Sequence, residues 1–242
     1  MPIQAMTGMS GLAACGSVAA ATYDSIILAE SSLVHYYPLN ETSGSVIHDS
    51  VSSGGVNSST QSGLTLNQTS RMPTCTDPCI LFGSSGAITI PAILLASGSD
   101  WSVEWWGFLP TAAFNTNFGC PLWIGGSSTA GWGPQCDSTT LDINQTLDSR
   151  VVGPTAGAAK NGNAHVVITK SGTTMIFYIN GTGTTKTVGT MDAPGSGSTY
   201  IGNLNGGGGG SNYVGPGAYL QKVAFYNAAL SSTRVSAHYA AG

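Results

Sequence analysis

The segment spanning residues 164–179 constrains the fold more than any other. Residues 164–170 (AHVVITK) and 173–179 (TTMIFYI) are runs rich in β-branched and aromatic side chains, joined by Ser171-Gly172, a tight-turn signal. This is the signature of an antiparallel hairpin. The same period of two recurs beyond residue 31, at residues 33–37, 64–66, 80–82, 87–90, 101–108, 121–124, 139–143, 150–152, 199–201 and 219–226. Clusters such as Ser53-Gly54-Gly55, Ser84-Ser85-Gly86, Asn161-Gly162 and Asn180-Gly181 punctuate these runs. Helical spacing is confined to residues 23–31, a single turn at 91–95, and residues 230–239, where Ser231 and Ser232 supply caps. Many short strands with polar turns predict an all-β chain. The expected architecture is a two-layer antiparallel β-sandwich of jelly-roll type, with a short N-terminal arm and helix and a short C-terminal helix. No repeat or linker divides the later part, so an arm and helix at 1–30 and one sandwich domain at 31–242 are expected.

Charge decides which partners are excluded. Only 7% of the 242 residues are charged, against about 25% in a typical soluble domain. Seven basic residues (Arg71, Arg150, Arg234, Lys160, Lys170, Lys186 and Lys222) and eleven acidic ones leave a net charge of −4. The basic residues are scattered and form no cluster to neutralise a phosphate backbone, so no nucleic-acid partner is expected. No run approaches the roughly 18–20 apolar residues of a spanning helix, so no membrane span is expected. Ample apolar material with little charge to oppose collapse excludes intrinsic disorder.

Residues 1–22 carry no charge. Leu12-Ala13-Ala14-Cys15-Gly16 matches the short pattern that precedes a bacterial lipoprotein cleavage site. Met1 to Ser10, however, has no Lys or Arg, and no compact apolar run follows, so a retained first residue is expected over a signal peptide. The isolated apolar residues Ile3, Met6, Met9 and Leu12 suit an assembly arm that packs against its own domain or against a neighbour.

Read in order, a set of landmarks resembles the laminin-G-like branch of the concanavalin A-like lectin/glucanase superfamily, of the type found in phage structural proteins. The opening Tyr23 to Gly44 has an aromatic pair, Tyr36-Tyr37, before Leu39, Glu41 and Ser43-Gly44, and Asp49-Ser50 follows as a turn. Leu81-Phe82, residues 87–91 (AITIP), 101–106 (WSVEWW), 164–169 (AHVVIT) and 176–181 (IFYING) are similar to the family's core strands. Tyr200-Ile201-Gly202 and residues 220–231 (LQKVAFYNAALS) are similar to its closing strand and the turn into the terminal helix. The resemblance implies the sandwich fold. It does not imply one function, because this fold hosts lectins, adhesins, hydrolases and structural modules. It also raises Ca²⁺ binding at Asp49. The acidic pair that many relatives carry in the closing strand is replaced here by Gln221-Lys222, and a lysine opposes a divalent cation, so no metal and no cofactor are expected.

Glycoside hydrolysis needs two carboxylates flanking the scissile bond, about 5–5.5 Å apart for retention and wider for inversion. Glu30, Glu41 and Glu104 are the only glutamates, and Glu104 has no acidic neighbour two residues away on either side. Asp142 and Asp148 flank a polar loop six residues apart, and no Gly-x-Ser-x-Gly elbow appears. His165 lies in a core strand and His238 in the terminal helix. A non-enzymatic chain is expected. Sugar binding needs an exposed ring, and Trp106, Trp123, Trp132, Tyr200 and Tyr213 are the candidates. Trp132, between glycines, and Tyr213, beside the five-glycine run, read as loop residues and are the better placed.

Cys75 and Cys79 enclose a three-residue loop, Cys120 and Cys136 enclose a Gly-rich one, and Cys15 is left over. Two local pairs predict two small-loop disulfides and an oxidising setting. Together with low charge, which suits interface burial, these features lead to one main expectation. It is a virion structural protein, a capsid-decoration or appendage subunit on the particle surface, partnered by virion proteins and by copies of itself. The alternative is a carbohydrate-binding adhesin recognising host surface glycans. A glycoside hydrolase of the same fold comes third.

Overall fold

The structure, a computed structural model, describes residues 22–242 apart from 53, 94, 96–97, 111–118, 128–129, 137–138, 146–150, 157–158, 190, 193 and 204–214. Helix α1 (Tyr23–Leu28) leads into strands β1 (Leu33–Tyr37), β2 (Thr60–Gln68), β3 (Cys79–Ile90) and β4 (Trp101–Phe108). There follow β5 (Leu122–Ser127), β6 (Ala130–Cys136), β7 (Leu141–Gln145), β8 (Asn163–Ser171) and β9 (Thr174–Ile179). The chain closes with β10 (Thr182–Thr187), β11 (Thr199–Ile201), β12 (Ala218–Tyr226) and α2 (Ser232–Ala241). Among the described residues no helix is long and apolar enough to cross a membrane.

The strands form one curled antiparallel sheet in the order β10-β9-β8-β4-β12-β3-β11-β5-β6-β7, with β1 added on β12 and β2 on β3. Curling brings the two halves face to face as a sandwich. β4 shows how the sequence divides its two faces. Trp101, Val103 and Trp105 enter the main core with Phe82, Ile88, Leu122, Trp132, Phe177 and Phe225. The alternate residue Trp106 enters a second core with Tyr23, Ile27, Tyr36, Val167, Tyr226 and Val235. That second core lies between the outer face of the sheet and the two terminal helices. Both faces of β4 are therefore dry, and residues 101–107 are all buried.

The helix ends follow ordinary capping chemistry. Thr22 accepts from Ser25 N at α1, and Ser231 accepts from Arg234 N at α2. The predicted hairpin is present, with Val166 opposite Ile179 and Ser171 opposite Thr174. Four details differ from the sequence expectation. Residues 80–82 and 87–90 belong to a single strand, because residues 83–86 bulge out where β2 passes from Ser62 to Leu64 opposite Ala87 and Phe82. Gly63 takes φ +60 there, and a Cβ on it would meet Ser85 C at 2.8 Å. β6 and β10 are strands that the sequence disguises with Gly, Pro and Thr. Of residues 91–95, those described form no helical turn; Ile93 N instead donates to Thr199 Oγ1 at 3.2 Å.

Candidate functional site

The site is built on a defect in the closing strand. Between Gln221 and Ala224, β12 advances three residues while β4 moves only two, from Trp106 to Glu104. The extra residue makes a β-bulge, which re-aims a side chain out of the pleat. Lys222 sits at that point with φ 57, and its N–H donates to Pro38 O at 3.0 Å. Its ammonium donates to Asp24 Oδ1 and to Asp77 Oδ2, each at 2.7 Å. Tyr36 OH also donates to Asp24 Oδ1. Burial alone lowers the Lys222 ammonium, but the two carboxylates outweigh it and raise it. The same hydrogen bond from Lys222 holds Asp77 below the usual carboxylate range.

These groups border a cleft of about 590 Å³ whose walls are the cap Thr22 with Tyr23 and Asp24 of α1, the 74–77 segment, Lys222, and Ala240 and Ala241 of α2. Thr74 ties the walls together: its N donates to Gly242 O and its hydroxyl to Ala241 O, both at 2.9 Å. Cys75 and Thr76 also line a neighbouring depression of about 560 Å³ with Asn67, Gln68, Thr69, Ser70 and Met72. The two hollows thus share a wall.

Beneath the cleft floor lies a fully buried carboxylate. Glu104 Oε1 accepts from Tyr23 OH at 2.6 Å and from His165 Nε2 at 2.7 Å, and Oε2 accepts from Tyr226 OH at 2.6 Å. His238 Nδ1 lies 3.2 and 3.0 Å from the two oxygens. The other ring nitrogen, Nε2, lies 2.9 Å from Glu30 Oε1, which also receives Arg234 Nε at 2.5 Å. Both nitrogens of His238 therefore face carboxylates, an arrangement that favours the imidazolium. Burial opposes that charge, yet Glu104 and Glu30 raise the group above its ordinary value. Burial likewise works to raise Glu104, but the hydrogen bonds and electrostatic pull of His165 and His238 drive it far down. Tyr23 moves up, through burial and the adjacent Glu104 charge, so its phenol stays protonated.

The aromatic candidates meet a different fate. Trp106, Trp123 and Trp132 are all buried and offer no ring face to a sugar. Trp132 stacks on Trp101 with centroids 4.1 Å apart. Trp123 lies under Gly131, where a Cβ would meet its Nε1 at 3.0 Å. Trp106 is covered by Tyr23, His165 and Tyr239. Tyr200 is half-buried on β11, opposite Thr89 and Trp123. Tyr213 and the arm residues Ile3, Met6, Met9 and Leu12 lie outside the described residues. Asp49 is not a vacant cation ligand: Oδ1 accepts from Tyr36 N and Val51 N, and Oδ2 from Val56 N and from the His35 ring at 2.6 Å.

The disulfide expectation is corrected. Cys75, Cys79, Cys120 and Cys136 are free thiols, which removes the support they gave to an oxidising setting. Cys79 Sγ donates to Thr69 O, and Cys120 Sγ to Leu122 O, each at 3.0 Å. Burial pushes Cys79 up to about 11 and Cys120 higher still. Treatment with reductant is therefore expected to leave the intact mass unchanged. A gain of about two hydrogens for either local pair would show a disulfide instead.

Sequence reasoning missed the cleft residues Asp24, Asp77, Lys222, Thr22, Thr74 and Thr76. A usable signal was present in Lys222, a lone charge in the otherwise apolar run of the closing strand. A charged residue there must find a counter-charge elsewhere in the chain.

A family profile of the concanavalin A-like lectin/glucanases superfamily matches residues 82–236. A search of curated proteins gives no significant match. Among solved structures, Trypanosoma rangeli sialidase in complex with sialic acid superposes with a TM-score of 0.63 at 15% identity, over 88% of this chain and 33% of the sialidase. The binding domain of Paraclostridial Mosquitocidal Protein 1 gives 0.62 at 15% identity, over 86% of this chain and 52% of that domain. The binding domain of botulinum neurotoxin serotype D gives 0.59 at 12% identity, over 86% and 50%. The chain thus spans a third to a half of these neighbours, and at such identities they share its fold alone. They correct one expectation: this sandwich also occurs within a sialidase, so the fold does not mark a chain as non-enzymatic. The lectin-like sandwich and the match over residues 82–236 lead to one assignment: the chain belongs to the concanavalin A-like lectin/glucanases superfamily.

Proposed function

We propose that the chain is a carbohydrate-binding module whose recognition site is the cleft between α1, the 74–77 segment and the end of α2. The observation that carries this reading is the convergence of three charged side chains and three threonine hydroxyls on one hollow of about 590 Å³. A polyhydroxylated ligand is held by several oriented donors and acceptors at once, and each net hydrogen bond is worth roughly 1 kcal/mol, more when one partner is charged. Here the acceptors are immobilised in advance, because Lys222 and Tyr36 already fix the Asp24 carboxylate. Ordering them costs a ligand little. The adjoining depression beyond Cys75 and Thr76 offers room for a second sugar unit. The superfamily and its sialidase and toxin-binding-domain neighbours are consistent with this class of ligand. The virion-surface setting is proposed alongside on low charge alone, and nothing in the cleft depends on it.

A glycan array followed by titration calorimetry tests the site. Thr76 is exposed and lines both hollows, so Thr76→Phe should weaken binding at least about tenfold through lost hydrogen bonds and steric blocking. Tyr200→Ala should leave the affinity unchanged. The reverse pattern, or no glycan bound, would overturn the assignment.

A further inference from the structure

We infer that the cleft selects sugars that are uncharged or amino-bearing and rejects those that carry a carboxylate. The inference rests on the glycan-binding reading and names its ligand class. It starts from the unequal exposure of the three charges. The Lys222 side chain is 1% exposed, whereas those of Asp24 and Asp77 are 32% and 39% exposed. Two of the three ammonium donors are already spent on the aspartates. A ligand entering the hollow therefore meets the carboxylates and not the cation. No other Lys or Arg lines the cleft among the described residues.

Asp24 provides a specific contact. Its Oδ1 receives both Lys222 Nζ and Tyr36 OH, while Oδ2 has no hydrogen-bond donor among the described residues. This leaves a fixed, partly exposed acceptor in the wall of a cavity. A sugar hydroxyl donates to it as a charge-assisted hydrogen bond, and an ammonium adds an ion pair. A carboxylate can donate nothing at neutral pH, and it would be placed beside two like charges whose counter-ion, Lys222, is already engaged. Juxtaposition of like charges is a standard means of excluding a wrong partner.

The test uses the full chain and three probes that share a core oligosaccharide. They end in galactose, in a free-amine glucosamine, and in a carboxylate-bearing sialic acid. Calorimetry at low salt is expected to show the acidic probe binding at least about tenfold more weakly than the galactose probe, with the difference shrinking as salt screens it. Asp77→Asn and, separately, Asp24→Asn should narrow that gap to under about threefold. Either single variant leaves Lys222 one carboxylate, so the fold is retained, and the two serve as checks on each other. A preference of the unaltered chain for the acidic probe, or a gap that both variants leave intact, overturns the inference while glycan binding stands. Binding to none of the three probes overturns the glycan reading and this inference with it.

Discussion

Replacing Glu104 by glutamine is expected to lower the free energy of unfolding by about 3–5 kcal/mol, the usual cost of breaking a buried ionic network from one side. Glutamine keeps the shape of the side chain. It offers one acceptor oxygen where Tyr23, Tyr226, His165 and His238 all require an acceptor, and its amide turns a donor toward donors. His238 also loses one of its two counter-charges. Urea unfolding followed by circular dichroism measures the effect as a drop in midpoint at constant slope. A variant with the parental midpoint would show that the network is not what holds α1 and α2 to the sheet.

The pH dependence of stability carries the same signature. His238 is raised in the folded chain, so its contribution is complete below about 6.5 and fades as pH climbs through the raised value. Glu104 is depressed, so its contribution is present above about 4.5 and is lost as pH falls toward the folded value. Stability should therefore be greatest between roughly pH 5 and 6.5, and glutamine at position 104 should flatten both limbs.

The second large effect is expected for Lys222→Met. Methionine matches the stem of lysine and meets the same left-handed backbone constraint, so the comparison isolates the ammonium. The loss at pH 7 should be about 1–3 kcal/mol, less than for Glu104 because Asp24 and Asp77 keep contact with water. Its sign with pH is diagnostic. Lys222 depresses Asp77, so the stabilisation it gives is present above about 3.8 and disappears as pH falls through the folded value. In the variant, two facing carboxylates repel at pH 7 and are relieved once protonated. The deficit measured by urea unfolding should therefore shrink markedly as pH falls from about 4 to about 2, through the folded value. A deficit equal at both ends of that window would assign the loss to packing.

The sheet was legible in the sequence because period-two alternation and polar turns are local signals. β1, β4 and β11 fall on the residues expected, and the Ser231 cap of α2 lies where hydroxyl chemistry predicts it. β6 was not legible. Its Gly131 and Gly133 read as loop residues, yet they are small because a neighbouring strand crosses too closely for a side chain: a Cβ on Gly133 would meet Leu122 O at 2.1 Å. The same misreading put Trp132 on the surface, whereas it lies flat on Trp101 in the core. The site was out of reach for another reason. Glu104 meets His165, Tyr226 and His238 across 61, 122 and 134 residues, and Lys222 meets Asp24 across 198. No spacing rule spans such distances; only the topology of the sheet brings these groups together.

The extra residue at position 222 belongs to neither side of the pleat. Exchanging it alters what the hollow displays without asking either hydrophobic layer to repack or the ladder on either flank to slip. A single codon at this point thus governs whether the two aspartates stand neutralised or bare, while the strands on both sides keep their partners.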